Sequence, residues 1–306
     1  MLLKLRRLIW LGLFMSILIP FSASAITVGP TKIEINADPG AIVNDQLIVM
    51  NEGTETQTFY PVFEKFIEVN GERQFIPGSE TEVAHWIHGL DSVTLAPQER
   101  KEVPFSFNIP KNAPPGGHFA VIWWSTAPPD SNQPLAVVTR AGILVYVRVA
   151  GQIVESGDVK TFAPAGEKSF YEHIPTDFVV NFDNRGNVHL KPSGEIRLTN
   201  IFGQTKVIFV VNDVGITVLP NSDKILRTSL KTKKLPFAIG LYKATLELRY
   251  GDQPETLNKE LTLYLFPWKE ISIGVVVLAL LLLLLTKGVS TYNRWIVRKY
   301  AKMHRS

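Results

Sequence analysis

Cysteine is absent from all 306 residues of the chain. No disulfide can staple it, no thiolate can attack a substrate or hold zinc, and whatever folds must be held by apolar cores. Also missing are the short patterns of common chemistries: no nucleophile elbow, phosphate loop, dinucleotide fingerprint or zinc-protease helix can be read. Histidine is scarce, with six residues. His85 and His88 in AHWIHG would share a face only on a helix, because an i, i+3 pair on a strand points to opposite sides. With no third ligand at a fixed spacing, a metal site is not expected there. His173 and His189 read as surface or turn residues. Ser229-Leu230-Lys231 lacks the companion motifs of a serine–lysine pair and reads as a charged loop with Lys233 and Lys234. Asp183-Asn184-Arg185-Gly186 puts a positive charge where a calcium loop needs carboxylates. The expectation is a non-enzymatic protein without metal or cofactor.

A concentrated basic face is lacking too, although the formal charge is +4 and the pI about 9.1. Of the 32 Lys and Arg, three fall in the first seven residues and six in the last twenty; between Ile26 and Trp268 there are 22 basic against 27 acidic residues. Nucleic-acid binding, which needs clustered positive charge, is therefore not expected.

What the chain does have is one long uncharged run, Ile271 to Leu285, ISIGVVVLALLLLLL. Fifteen helical residues reach about 22 Å, short of the roughly 30 Å hydrocarbon core. Carrying on to Val289 with Lys287 snorkelling outward closes the gap. A soluble core helix is the competing reading, but a leucine run with no polar face suits a site apolar on every side. Beyond it come Lys287, Arg294, Arg298, Lys299, Lys302 and Arg305 with no acidic residue. The positive-inside rule then makes the C-terminus cytoplasmic. Trp268 at the outer interface, with Lys287, Tyr292 and Trp295 at the inner one, are the expected interface residues. The tail either is a plain stop-transfer flank or lies along the inner membrane surface.

At the other end, Lys4, Arg6 and Arg7 precede an apolar stretch from Leu8 to Pro20 and the A-x-A site Ala23-Ser24-Ala25, which reads as an export signal. Cleavage would leave Ile26 as the mature start; an uncleaved anchor is the alternative. The organisation expected is a signal peptide at 1–25, a first immunoglobulin-like β-sandwich at 26–156, a second immunoglobulin- or fibronectin-like sandwich at 157–268, a transmembrane helix at 269–289 and a basic cytoplasmic tail at 290–306. The fold class is all-β, with two tandem immunoglobulin-like sandwiches followed by one transmembrane α-helix.

The sandwiches rest on short alternating runs punctuated by Pro, Gly and Asn. Asn70-Gly71 between FEKFIEV and RQFI predicts a hairpin, since both residues accept positive φ. Roughly eight strands are expected in the first module. In the second, Tyr242, Ala244, Leu246 and Leu248 alternate with polar Lys243, Thr245, Glu247 and Arg249, so one face packs and the other is wet. The halves look like diverged copies or convergent sandwiches: Asn51 to Gly53 matches Asn184 to Gly186, and Leu95 with Pro97 matches Leu219 with Pro220. The first half carries 8 basic and 15 acidic residues over 26–156, the second 14 and 12 over 157–268, which hints at different partners.

The stretch Phe119 to Trp124 departs from alternation, because both of its faces are apolar. Something must cover Trp124: either the 70 to 90 loop or the second module, or else a partner. The candidate partner surface is Trp123, Trp124, Ile122, Pro128 and Pro129, with the loop Pro128 to Pro134 exposed beside it.

The order of parts, with Pro39-Gly40 before Leu47-Ile48-Val49-Met50-Asn51 and Val103-Pro104-Phe105-Ser106-Phe107-Asn108-Ile109-Pro110 before Pro115-Gly116-Gly117-His118-Phe119, resembles the WxL-interacting protein family of bacterial surface proteins. The resemblance implies a membrane-anchored scaffold that binds cell-wall glycan or a surface protein. Two readings compete with adhesion or scaffolding: an assembly factor lending a sheet edge to a secreted subunit, and the ectodomain of a signalling or transport complex.

Overall fold

The computed structural model describes residues 25–69, 71–77, 83–129, 138–166, 168, 170–230, 237–253 and 255–303. The signal stretch through Ser24, Asn70, most of the Pro128–Pro134 loop and Lys231, Lys233 and Lys234 lie outside these residues. Contacts divide the chain into two compact units. One comprises Met1–Ser156 with Asn184–Leu190 and Leu219–Asp223; the other comprises Gly157–Asp183, Lys191–Val218 and Lys224–Ser306.

The first unit is a sandwich of two sheets. One runs in the order β1 (Ile26–Gly29), β3 (Ile42–Asn51), β8 (Arg100–Asn108), β6 (Ile87–His88). The other runs β2 (Lys32–Ala37), β10 (Arg140–Val149), β9 (Gly116–Ser125), β4 (Gln57–Val69), β5 (Glu72–Pro77), with β7 (Val93–Leu95) also paired to β4. The first strand is shared between the sheets: β1 pairs antiparallel with β3, the chain passes Gly29-Pro30, and β2 pairs parallel with β10. Proline has no N–H to continue a ladder, so a crossing there breaks no hydrogen bond. A first strand divided between two Greek-key sheets is an immunoglobulin-like arrangement. Counting the short β6 and β7, the described residues of the unit form ten strands rather than about eight.

Between the sheets lies the core. Leu47, Val49, Phe59, Leu95, Phe107, Ile122, Trp124, Ile143, Val145 and Val147 are all fully buried there. The expected hairpin between β4 and β5 is present, with Val69 opposite Glu72 and Gly71 at φ 76°.

In the second unit, β11 (Gly157–Pro164), β12 (Phe178–Asn184) and β15 (Ser222–Leu226) form one sheet. The other has the order β16 (Thr228–Leu230), β14 (Thr205–Val211), β13 (Ser193–Asn200), β17 (Gly240–Tyr250), β18 (Glu255–Leu265). Along β17, Tyr242, Ala244, Leu246, Leu248 and Tyr250 are buried, and they continue a core with Ile196, Leu198, Val207 and Phe209. From Trp268 one helix, α1, runs to Met303. Its first 29 residues, Trp268–Ile296, are long and apolar enough to cross a membrane, and none of that apolar window is buried among the described residues. The helix does not stop at 289: no proline follows Gly288, and the same helix carries on to Met303, 36 residues or about 54 Å in all.

Candidate functional site at the open edge of β5

Alternation along β9 sends Ala120, Ile122 and Trp124 inward and Phe119, Val121 and Trp123 outward. The inward set is completely buried in the sandwich core. Trp124 and Ile122 are therefore core side chains, which corrects their place in the expected partner surface: the space between two sheets is close-packed, and the face of β9 that closes it carries Trp124 and Ile122. Trp123 is half-buried, and Pro128 and Pro129 are exposed.

On the outward face stands a second apolar cluster. Phe66 and Tyr146 have ring centroids 5.5 Å apart, Phe66 and Phe119 5.8 Å, and Phe119 and Tyr146 5.6 Å. Val121 and Leu219, the latter from the Leu219–Asp223 segment of this same unit, complete it. The hairpin brings β5 beside this face, so that Phe75 sits directly opposite Phe66 in register and packs edge-on to Trp123 at 5.1 Å. Part of the 70 to 90 stretch thus covers Trp123, the neighbour of the residue for which cover was expected.

Polar groups tie the cluster's rim. The Trp123 indole N–H donates to Glu64 at 2.8 Å, and Arg140 reaches the same carboxylate at 3.5 Å. Arg73 lies over the Phe66 ring at 5.1 Å and donates to the Tyr146 hydroxyl at 3.3 Å. Burial pushes the Tyr146 phenol above its ordinary value, while the Arg73 charge pulls the other way.

β5 itself ends the sheet. Its inner side pairs with β4, and no described strand pairs with its other side. It exposes Phe75 at 38 % and Ile76 at 42 %. An unpaired edge with apolar side chains is a ready template for another extended chain. Nothing in the sequence marked β5 as terminal, because strand order depends on distant pairings.

The other expected residues are spread out. His85 sits in a short 3-10 turn at Ala84–Trp86 and His88 in β6, and no group of three or more metal-ligating side chains occurs among the described residues. Trp268, Tyr292 and Trp295 on α1 are half or more exposed, and Lys287 is exposed.

No family model and no curated protein matches the chain. Among solved structures it is similar to a chain from a chaperone–tip adhesin complex of CFA/I fimbriae biogenesis, with 11 % identity, 78 % of this chain and 98 % of that one covered, and a TM-score of 0.40. Similar too are the class 5 fimbriae chaperone CfaA, at 12 % identity, 78 % and 99 % coverage and 0.40, and the Pseudomonas aeruginosa CupB2 chaperone, at 12 %, 78 % and 100 %, and 0.37. Likeness at this level does not extend to function, and the sandwich fold rests on the strand pairing above.

Proposed function

We propose that this chain is a single-pass membrane protein whose two sandwiches lie on the non-cytoplasmic side, and that it acts as an assembly factor by pairing the edge of β5 with an extended segment of another protein. The observation that carries the reading is the unpaired outer side of β5 with half-exposed Phe75 and Ile76. Backbone hydrogen bonds along such an edge supply affinity without a fixed sequence, and alternate side chains supply selectivity. The membrane part is supported by the uncovered apolar length of α1 and by the basic residues that follow it.

Capture of secreted proteins by the detergent-solubilised full chain tests it. The Ile76→Lys variant puts a charge on the edge, one of the devices by which natural sheets refuse extra strands. Capture should weaken about tenfold or more at unchanged thermal stability, since a free-energy difference of about 1.4 kcal/mol suffices. Undiminished capture by the variant would sink the edge reading. Retention on isolated cell wall by both proteins would instead favour the scaffold role that the family resemblance implies.

A further inference from the structure

The second unit exposes large apolar side chains chiefly at one end. Asn200, Tyr242 and Leu263 stand in one row across β13, β17 and β18. Past that row lie the β13–β14 turn, the approach to β17 and the exit from β18 into α1. There Ile201 is 70 % exposed, Phe202 80 %, Phe237 68 %, Ile239 52 %, Phe266 53 % and Trp268 50 %. At the opposite end of the same strands, the β17–β18 turn holds Asp252 and Gln253, and Val214 is the exposed large apolar residue nearby. Single exposed apolar residues are ordinary, whereas six in three neighbouring chain segments are not.

Two of these segments are held in place. In the β13–β14 turn the Asn200 side-chain oxygen accepts from the Phe202 N–H at 3.1 Å and the Gln204 N–H at 2.9 Å, while Gly203 adopts φ 76° and donates to the Asn200 carbonyl. A locked turn that points Ile201 and Phe202 into the surroundings forgoes the chance to tuck them away. At the helix start, Glu172 accepts from the Trp268 indole at 2.6 Å and from Lys269 at 2.9 Å, and the Phe266 N–H donates to the Tyr171 carbonyl at 2.8 Å. The β13–β14 turn and the first turn of α1 are thus each pinned by their own hydrogen bonds.

We infer that this end of the second sandwich rests in the outer membrane interface, with Ile201, Phe202, Phe237 and Ile239 inserted among the lipid headgroups around the top of α1. The inference rests on the proposed membrane span. The occupant is lipid because the patch is continuous with the helix: two residues separate β18 from α1, so the loops at that strand end lie beside the level at which Trp268 enters the interface. Apolar groups at this depth enter about 5–10 Å, enough for the two side chains of the turn. The sandwich is then held against the membrane at several points and does not swing on a single tether.

The absence of cysteine makes the test clean. Single variants Phe202→Cys, Ile239→Cys, Gln253→Cys and Leu281→Cys of the full chain are labelled with an environment-sensitive fluorophore and reconstituted into phosphatidylcholine and phosphatidylglycerol vesicles that carry nitroxide lipids. A nitroxide near the headgroup should quench the probes at 202 and 239 about twofold or more, as expected for interfacial depth, and leave 253 unchanged. A nitroxide deep in the acyl chain should quench 281 most. Probes at 202 and 239 that behave like the one at 253, with 281 quenched, would overturn the inference and leave the span standing. Blue-shifted but unquenched probes at 202 and 239 would mean protein cover by a second copy, which also overturns it. No quenching at 281 would remove the span and the inference together.

Discussion

Trp124 carries the largest fully buried side chain of the first core, and its indole N–H finds no partner among the described residues. Removing it should leave a large cavity between the sheets. Trp124→Ala is expected to cost about 3–5 kcal/mol, lowering the melting temperature by about 10 °C or more, as followed by circular dichroism. Trp123→Ala, which gives up one rim hydrogen bond and the contact with Phe75, should cost clearly less. Equal losses would show that the two faces of β9 are equally closed. Alternation over 119–124 settles the parity of these residues but not which parity faces inward, since both faces are apolar. The paired Asn turns were more legible. Asn51 and Asn184 each end a strand, are buried, and each accept from the N–H two residues on while donating to a downstream carbonyl, Glu55 for one and Val188 for the other. An Asx turn is a local device, so the spacing Asn-x-Gly is enough to foresee it.

At the scale of elements, the joint between the second sandwich and α1 hangs on Glu172. Its hydrogen bond from Lys269, then that from Trp268, hold its carboxyl below the ordinary glutamate value of 4.5. A lowered folded pKa means that this contribution is complete above the ordinary value and is lost as pH falls through the lowered one. The nuclear magnetic resonance signal of the Trp268 indole N–H should therefore hold steady down to about pH 4.5 and shift below it. The shift should vanish in Glu172→Gln, and a wild-type midpoint above 4.5 would refute the tether. The joint was invisible in the sequence because Glu172 and Trp268 are 96 residues apart. The hairpin of β4 and β5 was visible, since two adjacent residues dictate it. Its role as a sheet edge was not, because that depends on which strands fail to pair.

For the molecule as a whole, the uneven charge and the leucine run predict a topology. The full chain should stay in the membrane pellet through alkaline carbonate extraction, and protease added outside sealed cells should remove the sandwiches while an antibody to the tail still detects a short fragment. Loss of the tail epitope with intact sandwiches would reverse the orientation. Short-range properties of the sequence sufficed for this much: alternation for strands, Asn-Gly and Asn-x-Gly for turns, and an uncharged length for the helix, which hydrophobic burial and backbone geometry enforce residue by residue. Where several strands could pair and several apolar faces could close, only the tertiary structure decided. It placed Trp124 inside, left β5 with an open side, carried α1 on to Met303, and gathered the exposed apolar loops of the second unit where the helix begins. Those outcomes depend on long-range pairings, whose free energies are settled by competition among all the strands together and by no single stretch alone.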